Sequence, residues 1–226
     1  MSTSPAMQEY LAEAYRLAHY QPAASYVSTS ALADVLHVSP PAVTRMVQRL
    51  KEAGYLEHEP YQGIKLTETG EYEALMSIRR HRLVERFLTD VMKFGWHEVH
   101  DTADSFGAMV SDQIVTRMEQ MANYPRRCPH GEPIPSADGV MPRIIDYPMT
   151  EAPPGELVIS RVNTHDEEKL KYLDSLLIKP GSSFELVEHA PFKGPLHLRV
   201  NGVLHHLGYE LANAVRVCTA DEFALA

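Results

Sequence analysis

His81 and Glu85 stand four residues apart, His100 and Asp104 repeat the interval, and Glu9 and Glu13 repeat it again. On a helix this interval puts both side chains of a pair on one face. Imidazole nitrogens and carboxylate oxygens together make mixed N/O metal sites. A donor set that requires no Cys or Met suits manganese(II) or iron(II) better than copper or a structural zinc. Any one such pair is also the signature of an ordinary surface ion pair. Three pairs beside a helix-turn-helix favour metal. Cys128-Pro129-His130 has the composition of a metal fragment, but no partner cluster accompanies it, and it reads as a turn. His189, His197, His205 and His206 fall in β-rich sequence and read as strand or surface histidines.

A second constellation points to nucleic acid. Ser39 precedes Pro40 and Pro41, an N-cap followed by prolines in the first helical turn, where missing amide protons cost nothing. Val43, Met46, Val47 and Leu50 form the buried stripe of the helix that follows. The opposite face carries Thr44, Arg45, Gln48 and Arg49, with Lys51 nearby and no acidic residue between Ser39 and Lys51. Such a face fits the major groove, its first turns meeting base edges while Arg and Lys neutralise phosphates. Lys65, on a following hairpin, is placed to touch the DNA backbone. A formal net charge of -9 opposes DNA binding as a whole-chain property, so the contact must be local or wait for cations.

The elements that position these residues fall into three segments. Residues 1–75 read as a winged helix-turn-helix. Met7, Leu11, Ala14, Leu17 and Ala18 give a first amphipathic helix, ended by a loop with Pro22 and Ser25. Thr29 is the expected N-cap of a short helix from Ser30 to His37, with Leu32, Val35 and Leu36 inward and Val38 in the turn. The helix from Ser39 and two short strands, 55–59 and 64–66, complete the unit. Residues 76–142 read as a helical dimerisation domain. One long helix contains Leu75, Ile78, Val84, Phe87, Leu88 and Val91. A second runs from Val99 to Ala122, with Ala103, Phe106, Val110, Ile114 and Met118 inward. Prolines and glycines from Tyr124 to Pro154 mark a connector. Residues 153–226 show strand-like runs at 155–162, 184–188, 196–201 and 214–218, broken by a helix from Asp166 to Leu176. These predict a small β-barrel.

The 226 residues, 44% of them hydrophobic, are ordinary for a globular protein of two or three modest domains. No run approaches the ~18 apolar residues of a membrane helix. Met1-Ser2-Thr3-Ser4-Pro5 lacks a secretion signal, and Cys128 and Cys218 form no disulfide framework, which together predict a cytoplasmic protein. No nucleophile–base pair or cofactor loop suggests an enzyme.

Several motifs, in order, resemble one family. Ser39-Pro40-Pro41-Ala42-Val43-Thr44, Gly54-Tyr55-Leu56 and Leu66-Thr67-Glu68-Thr69-Gly70 resemble the winged-helix domain of the diphtheria toxin repressor family. Arg80 to Leu88, Val99-His100-Asp101 and Ser111-Asp112 resemble its dimerisation domain. Cys128 to Pro135 resembles its interdomain segment, and Pro180-Gly181 with Phe184 to Val187 its C-terminal SH3-like domain. The resemblance implies a homodimer that binds palindromic promoter DNA when divalent metal is present and controls metal uptake and homeostasis genes. Residue by residue, His81, Glu85 and His100 match the family's ancillary site, with Asp166, Glu167 or Glu168 offered for the ligands of the SH3-like domain. Glu9 and Asp104 match primary-site positions where carboxylates characterise manganese-type members. The next two primary ligands align with Gly107 and Ala108, which have no donor. The expectation is therefore that Glu13 or Asp101 helps complete a site around Glu9 and Asp104, or that His81, Glu85 and His100 do the switching. The alternative is a winged-helix regulator that answers another signal and carries a vestigial metal site.

Overall fold

The computed structural model describes residues 3–19, 26–107 and 109–225; Pro22, Ser25 and Ala108 lie outside them. The chain divides into two compact units, Met1–Arg80 with Pro135–Met141, and His81–Ile134 with Pro142–Ala226.

In the first unit, α1 (Pro5–His19), α2 (Thr29–Leu36) and α3 (Pro40–Glu52) are followed by β1 (Leu56–Glu59), β2 (Gly63–Leu66) and the start of α4 (Glu68–Asp90). Leu11, Leu32, Val43, Val47, Leu50 and Ile64 are buried together, so the apolar stripes of the three helices share one core with the wing. β1 and β2 pair antiparallel, and Val27 bridges to Ile64 on the far side of β2. Two local expectations change. Ser28, not Thr29, caps α2, its hydroxyl accepting from the Ala31 amide at 3.0 Å. The turn into α3 is made by His37, which takes the left-handed conformation at φ 53°, rather than by Val38. Ala33 is buried, and Val35, expected inward, faces solvent.

Helix α4 begins at Glu68, where Thr67 caps it: the Gly70 amide donates to Thr67 Oγ1 at 3.1 Å, and that hydroxyl donates to the Gly54 carbonyl at 2.8 Å.

In the second unit, the helix expected from Val99 to Ala122 is two helices, α5 (Val99–Gly107) and α6 (Asp112–Met121). Ser111, extended at φ -75° and ψ 160°, starts α6 afresh. The break shifts the helical phase, so Val115 is buried and Ile114 is exposed. Leu83, Val84, Leu88, Val99, Ala103 and Met118 form the helical core.

The rest is a β domain. After β3 (Tyr147–Pro148) and a 3-10 turn (Met149–Glu151) come β4 (Gly155–Val162), α7 (Glu167–Ser175), β5 (Ser183–His189), β6 (Leu196–Val200), β7 (Val203–Leu207), α8 (Tyr209–Ala214), β8 (Val215–Cys218) and α9 (Ala220–Leu225). The six strands form one antiparallel sheet in the order β3-β8-β4-β5-β6-β7. It is open: among the described residues the edge strands β3 and β7 do not pair, so the expected barrel does not close. An edge only two residues long and ending in Pro148, which lacks an amide proton, cannot offer β7 a ladder. Ile159, Leu170, Leu173, Leu186, Leu198 and Val217 fill the core between the sheet and α7.

The close approach of α4 to the wing is testable. A Cβ on Gly70 would lie 1.8 Å from the Tyr55 carbonyl oxygen, a backbone atom that moves only with its strand. Gly70→Ala is expected to destabilise the winged unit by about 1–3 kcal/mol. Unfolding by urea measures it, and an unchanged midpoint would show that this contact is absent in solution.

Candidate metal centre and nucleic-acid interface

The metal candidate is built around one carboxylate. Glu85, on the inner side of α4, is only 2% exposed. Its Oε1 lies 3.1 Å from His81 Nε2, one turn back on α4, and 3.1 Å from His100 Nδ1 on α5. It lies 3.5 Å from Nδ1 of His130. His81 Nε2 and His100 Nδ1 are 3.2 Å apart. Two groups of donors are close enough to share an ion: His81, Glu85 and His100, and Glu85, Cys128 and His130. Donors about 2.1–2.2 Å from an ion and at right angles to each other lie about 3 Å apart, so these spacings fit a shared metal. His130 adds an independent sign. It is 1% exposed, its Nε2 is bonded to the Trp96 carbonyl at 2.9 Å, and its Nδ1 is buried without a hydrogen-bond partner.

The segment that carries Cys128 and His130 is held by charge. Asp146, with a side chain 1% exposed, is gripped by Arg161 at 2.8 Å and Arg216 at 2.7 Å. Arg161 also reaches Glu132 at 2.8 Å, and Glu132 reaches Arg82 at 3.1 Å. Arg82 donates back to the Pro133 carbonyl. The Val162 amide donates to the His130 carbonyl at 2.9 Å. Gly131 lets the segment lie against β4: its φ is +90°, and a Cβ there would meet the Ser160 carbonyl at 2.2 Å. Burial alone would raise the Asp146 carboxyl, but the two arginines outweigh it and lower it.

The same contest sets the protonation of the centre. Burial works against charge on both His81 and Glu85. It is outweighed at His81 by Glu85 and Asp104, which hold the imidazole up at about 9. It is outweighed at Glu85 by His81, His100 and His130, which hold the carboxyl well below its usual range. Burial, with Glu85 adding to it, pushes the Cys128 thiol far up. His81, Glu85 and His100 could hold a divalent ion, which would supply the positive charge that the His81 proton otherwise provides.

The residues singled out in sequence distribute as follows. His81, Glu85 and His100 come together. Asp104 joins them from the rim, 62% exposed, with its Oδ1 2.9 Å from His81 Nδ1. Asp101 is exposed on α5. Glu9 and Glu13 belong to the first unit, where Glu13 pairs with Arg16. Gly107 is buried and offers no donor. Asp166 caps α7 by accepting from the Lys169 amide, and Glu167 and Glu168 pair with Lys171. From the same stretch it is His165 that reaches the cluster, stacked on His100 with ring centroids 3.6 Å apart. Sequence reading passed over Cys128, His130 and His165 as donors. The Cys-Pro-His run was visible, but its partner Glu85 lies more than forty positions back, where no spacing rule reaches.

On α3, Thr44, Arg45, Gln48, Arg49 and Lys51 are all exposed, as are Pro40, Pro41 and Ser39, whose hydroxyl makes no capping bond. The Thr44 hydroxyl donates to the Pro40 carbonyl, and the Gln48 amide to Glu52. Lys65 is exposed on β2. Tyr61, fully exposed at the tip of the wing, is an addition that its turn composition did not single out.

A winged helix-turn-helix, a helical segment with clustered imidazole and carboxylate donors, and an SH3-like β domain define a metal-dependent DNA-binding regulator. The family comparisons agree over nearly the whole chain. Residues 2–64 match the iron dependent repressor N-terminal DNA binding domain, residues 67–136 the iron dependent repressor metal binding and dimerisation domain, and residues 147–218 the FeoA domain. The diphtheria toxin repressor of Corynebacterium efficiens is 30% identical over 203 residues, covering 84% of this chain and 86% of that protein. The iron-dependent repressor IdeR of Mycobacterium tuberculosis is 30% identical over 204 residues, covering 82% and 86%. A manganese-dependent transcriptional repressor solved in complex with manganese superposes with a TM-score of 0.83 at 30% identity, covering 94% of this chain and 99% of that one. The manganese-activated repressor ScaR in its apo form gives 0.75 at 28% identity, covering 93% and 99%. The chain belongs to the diphtheria toxin repressor family, whose members are DNA-binding transcriptional regulators rather than enzymes. No helix among the described residues is long and apolar enough to cross a membrane.

The protonation state of the cluster predicts a pH dependence. The folded value of His81 lies above its unfolded one, so its stabilising contribution is complete below about pH 6.5 and is lost as pH rises through about 9. The folded value of Glu85 lies below its unfolded one, so its contribution is present above about pH 4.3 and is lost only in stronger acid. A divalent ion held by His81 would have to displace this proton, so apparent affinity for such an ion is expected to rise about tenfold per pH unit between roughly 6.5 and 8.5. Competition with a chelator of known pH dependence measures this, and a flat profile would remove His81 from the ligand set.

Proposed function

We propose that this chain is a homodimeric, manganese(II)-activated regulator that binds palindromic promoter DNA and controls genes of metal uptake and homeostasis, with iron(II) as the other candidate ion. The observation that carries the reading is the buried Glu85 carboxylate on which His81, His100 and His130 converge. His81, Glu85 and His100 would hold the ion, with Cys128 and His130 as the second donor group around the same carboxylate. A metal held there would supply positive charge, with its donors drawn from α4, α5 and the segment at 128–130.

The protein's own residues do the rest. Helix α4 is continuous from Glu68 to Asp90. The turn that bears His81 and Glu85 is thus joined through one helix to the turn that Thr67 ties to the wing. Arg45, Arg49 and Lys51 meet phosphates and base edges from α3, with Lys65 and Tyr61 reaching the DNA backbone from the wing. Exposed apolar side chains support the dimer: Ile114 (48%) and Met121 (55%) on α6, with Met109 (78%) before it and Tyr124 (64%) after it, are suited to burial against a second copy. Carboxylates at Glu9 and Asp104, in place of thioether and thiolate, support manganese, the harder ion. Gly107 favours a second reading, in which the primary site is vestigial and another signal is sensed.

Selection from a genomic DNA library, with free manganese buffered and chelator as control, separates the two. The expected result is a palindrome enriched only with manganese, and loss of that dependence in Glu85→Gln. Equal enrichment in chelator would overturn metal activation while keeping the DNA-binding role. Arg49→Ala is expected to weaken binding and, if the contact is to phosphate, to reduce the slope of log affinity against log salt by about one. An unchanged affinity and slope would remove Arg49 from the interface.

A further inference from the structure

Outside the Glu85 cluster, a further set of donors lies on the sheet. Glu188 on β5, His197 on β6 and His206 on β7 stand in one transverse row, since Glu188 is the ladder partner of His197 and His197 that of His206. The row is on the face away from the core: Leu196 and Leu198, flanking His197, are fully buried, whereas Glu188 and His206 are exposed. His197 Nδ1 is 2.8 Å from Glu188 Oε1. The His197 and His206 rings meet edge to face with centroids 4.5 Å apart.

We propose that His197 and His206 form a second transition-metal site, with Glu188 as its orienting carboxylate. A carboxylate on Nδ1 holds a neutral imidazole in the Nδ1–H tautomer and leaves the lone pair on Nε2, which is how metal-binding histidines are commonly oriented. Residues directly opposite on neighbouring strands have Cβ atoms about 4.5–5.5 Å apart. Two imidazoles so placed reach a common ion by side-chain rotation alone, on a backbone that the ladder already fixes. Water completes the coordination. A site of two imidazoles favours zinc, nickel or copper over manganese, which prefers oxygen donors. The ion would tie β7 to β6 at the edge of the sheet, where no further strand pairs with β7 among the described residues. None of these residues belongs to the Glu85 cluster, so the proposal stands apart from the metal-sensing reading.

Equilibrium dialysis of the full-length protein against zinc, counted per chain, tests it. Wild type is expected to bind one more zinc than His206→Ala or His197→Asn, both changes on the solvent face. Glu188→Gln is expected to keep that equivalent with affinity lowered about tenfold or more, and His81→Ala to leave it in place. Equal zinc stoichiometry and affinity in wild type, His206→Ala and His197→Asn would overturn the proposal. A zinc titration of wild type, followed by the histidine ring resonances in NMR, gives a result that needs no variant to fold. Shifts at His197 and His206 support the site, and shifts confined to other histidines overturn it.

Discussion

A carboxylate shut away from water is the constraint around which the second unit is organised. Glu85 is 2% exposed, and an ionised carboxylate in that position costs several kcal/mol unless partners replace its hydration. The imidazoles of His81 and His100 do so at 3.1 Å, with the His130 ring standing 3.5 Å away. They come from α4 itself, from α5, and from the segment after α6. The helical segment therefore cannot bury Glu85 without bringing these stretches together. Since one compensating charge is a proton on His81, the same pocket is tuned to exchange that proton for a cation.

Converging donors are useful only if their backbones are fixed, and here the alternating chain Arg82, Glu132, Arg161, Asp146, Arg216 matters. Networks of this kind add little net stability compared with apolar packing of the same volume. Breaking one is costly, because a partner is left charged and unpaired in a buried place. Its effect is positional: Arg82 is the neighbour of His81 on α4, and Glu132 lies two residues from His130. The residues that hold the segment thus alternate in sequence with those that would hold the ion. A close packing rule does the same for the backbone, since only Gly131 permits the approach to Ser160.

Much of this was legible in sequence where a local rule applied. The stripe of Val43, Val47 and Leu50 and the extent of α7, expected from Asp166 to Leu176, follow from local sequence pattern alone. His81, Glu85 and His100 were recognisable because two of them share a helical face. What escaped depends on distance or phase. The break between α5 and α6 was marked by Gly107 at the end of α5 and Ser111 ahead of α6, but a single uninterrupted period was carried through it to Ile114. β7 reads Val-Leu-His-His-Leu, which does not alternate. Its only advance sign was the Asn201-Gly202 pair, a two-residue hairpin turn with Asn201 at φ 49°. Cys128 and His130 needed Glu85, and His165 needed His100, which are contacts made only by the folded chain.

The charge of -9 is reconciled with DNA binding by the same separation of roles. Electrostatic influence between exposed groups fades over a Debye length of about 8 Å at physiological salt. A polyanion therefore responds to the face it touches and not to the sum over the molecule. That face, from Ser39 to Lys51, has cations and no acids, and the first carboxylate after it, Glu52, is bonded to Gln48. The acidic excess is concentrated elsewhere, including the carboxylates that attract divalent cations. An ion held by those carboxylates would stabilise the folded second unit by mass action, while the α3 face would keep its own salt-dependent attraction for phosphate.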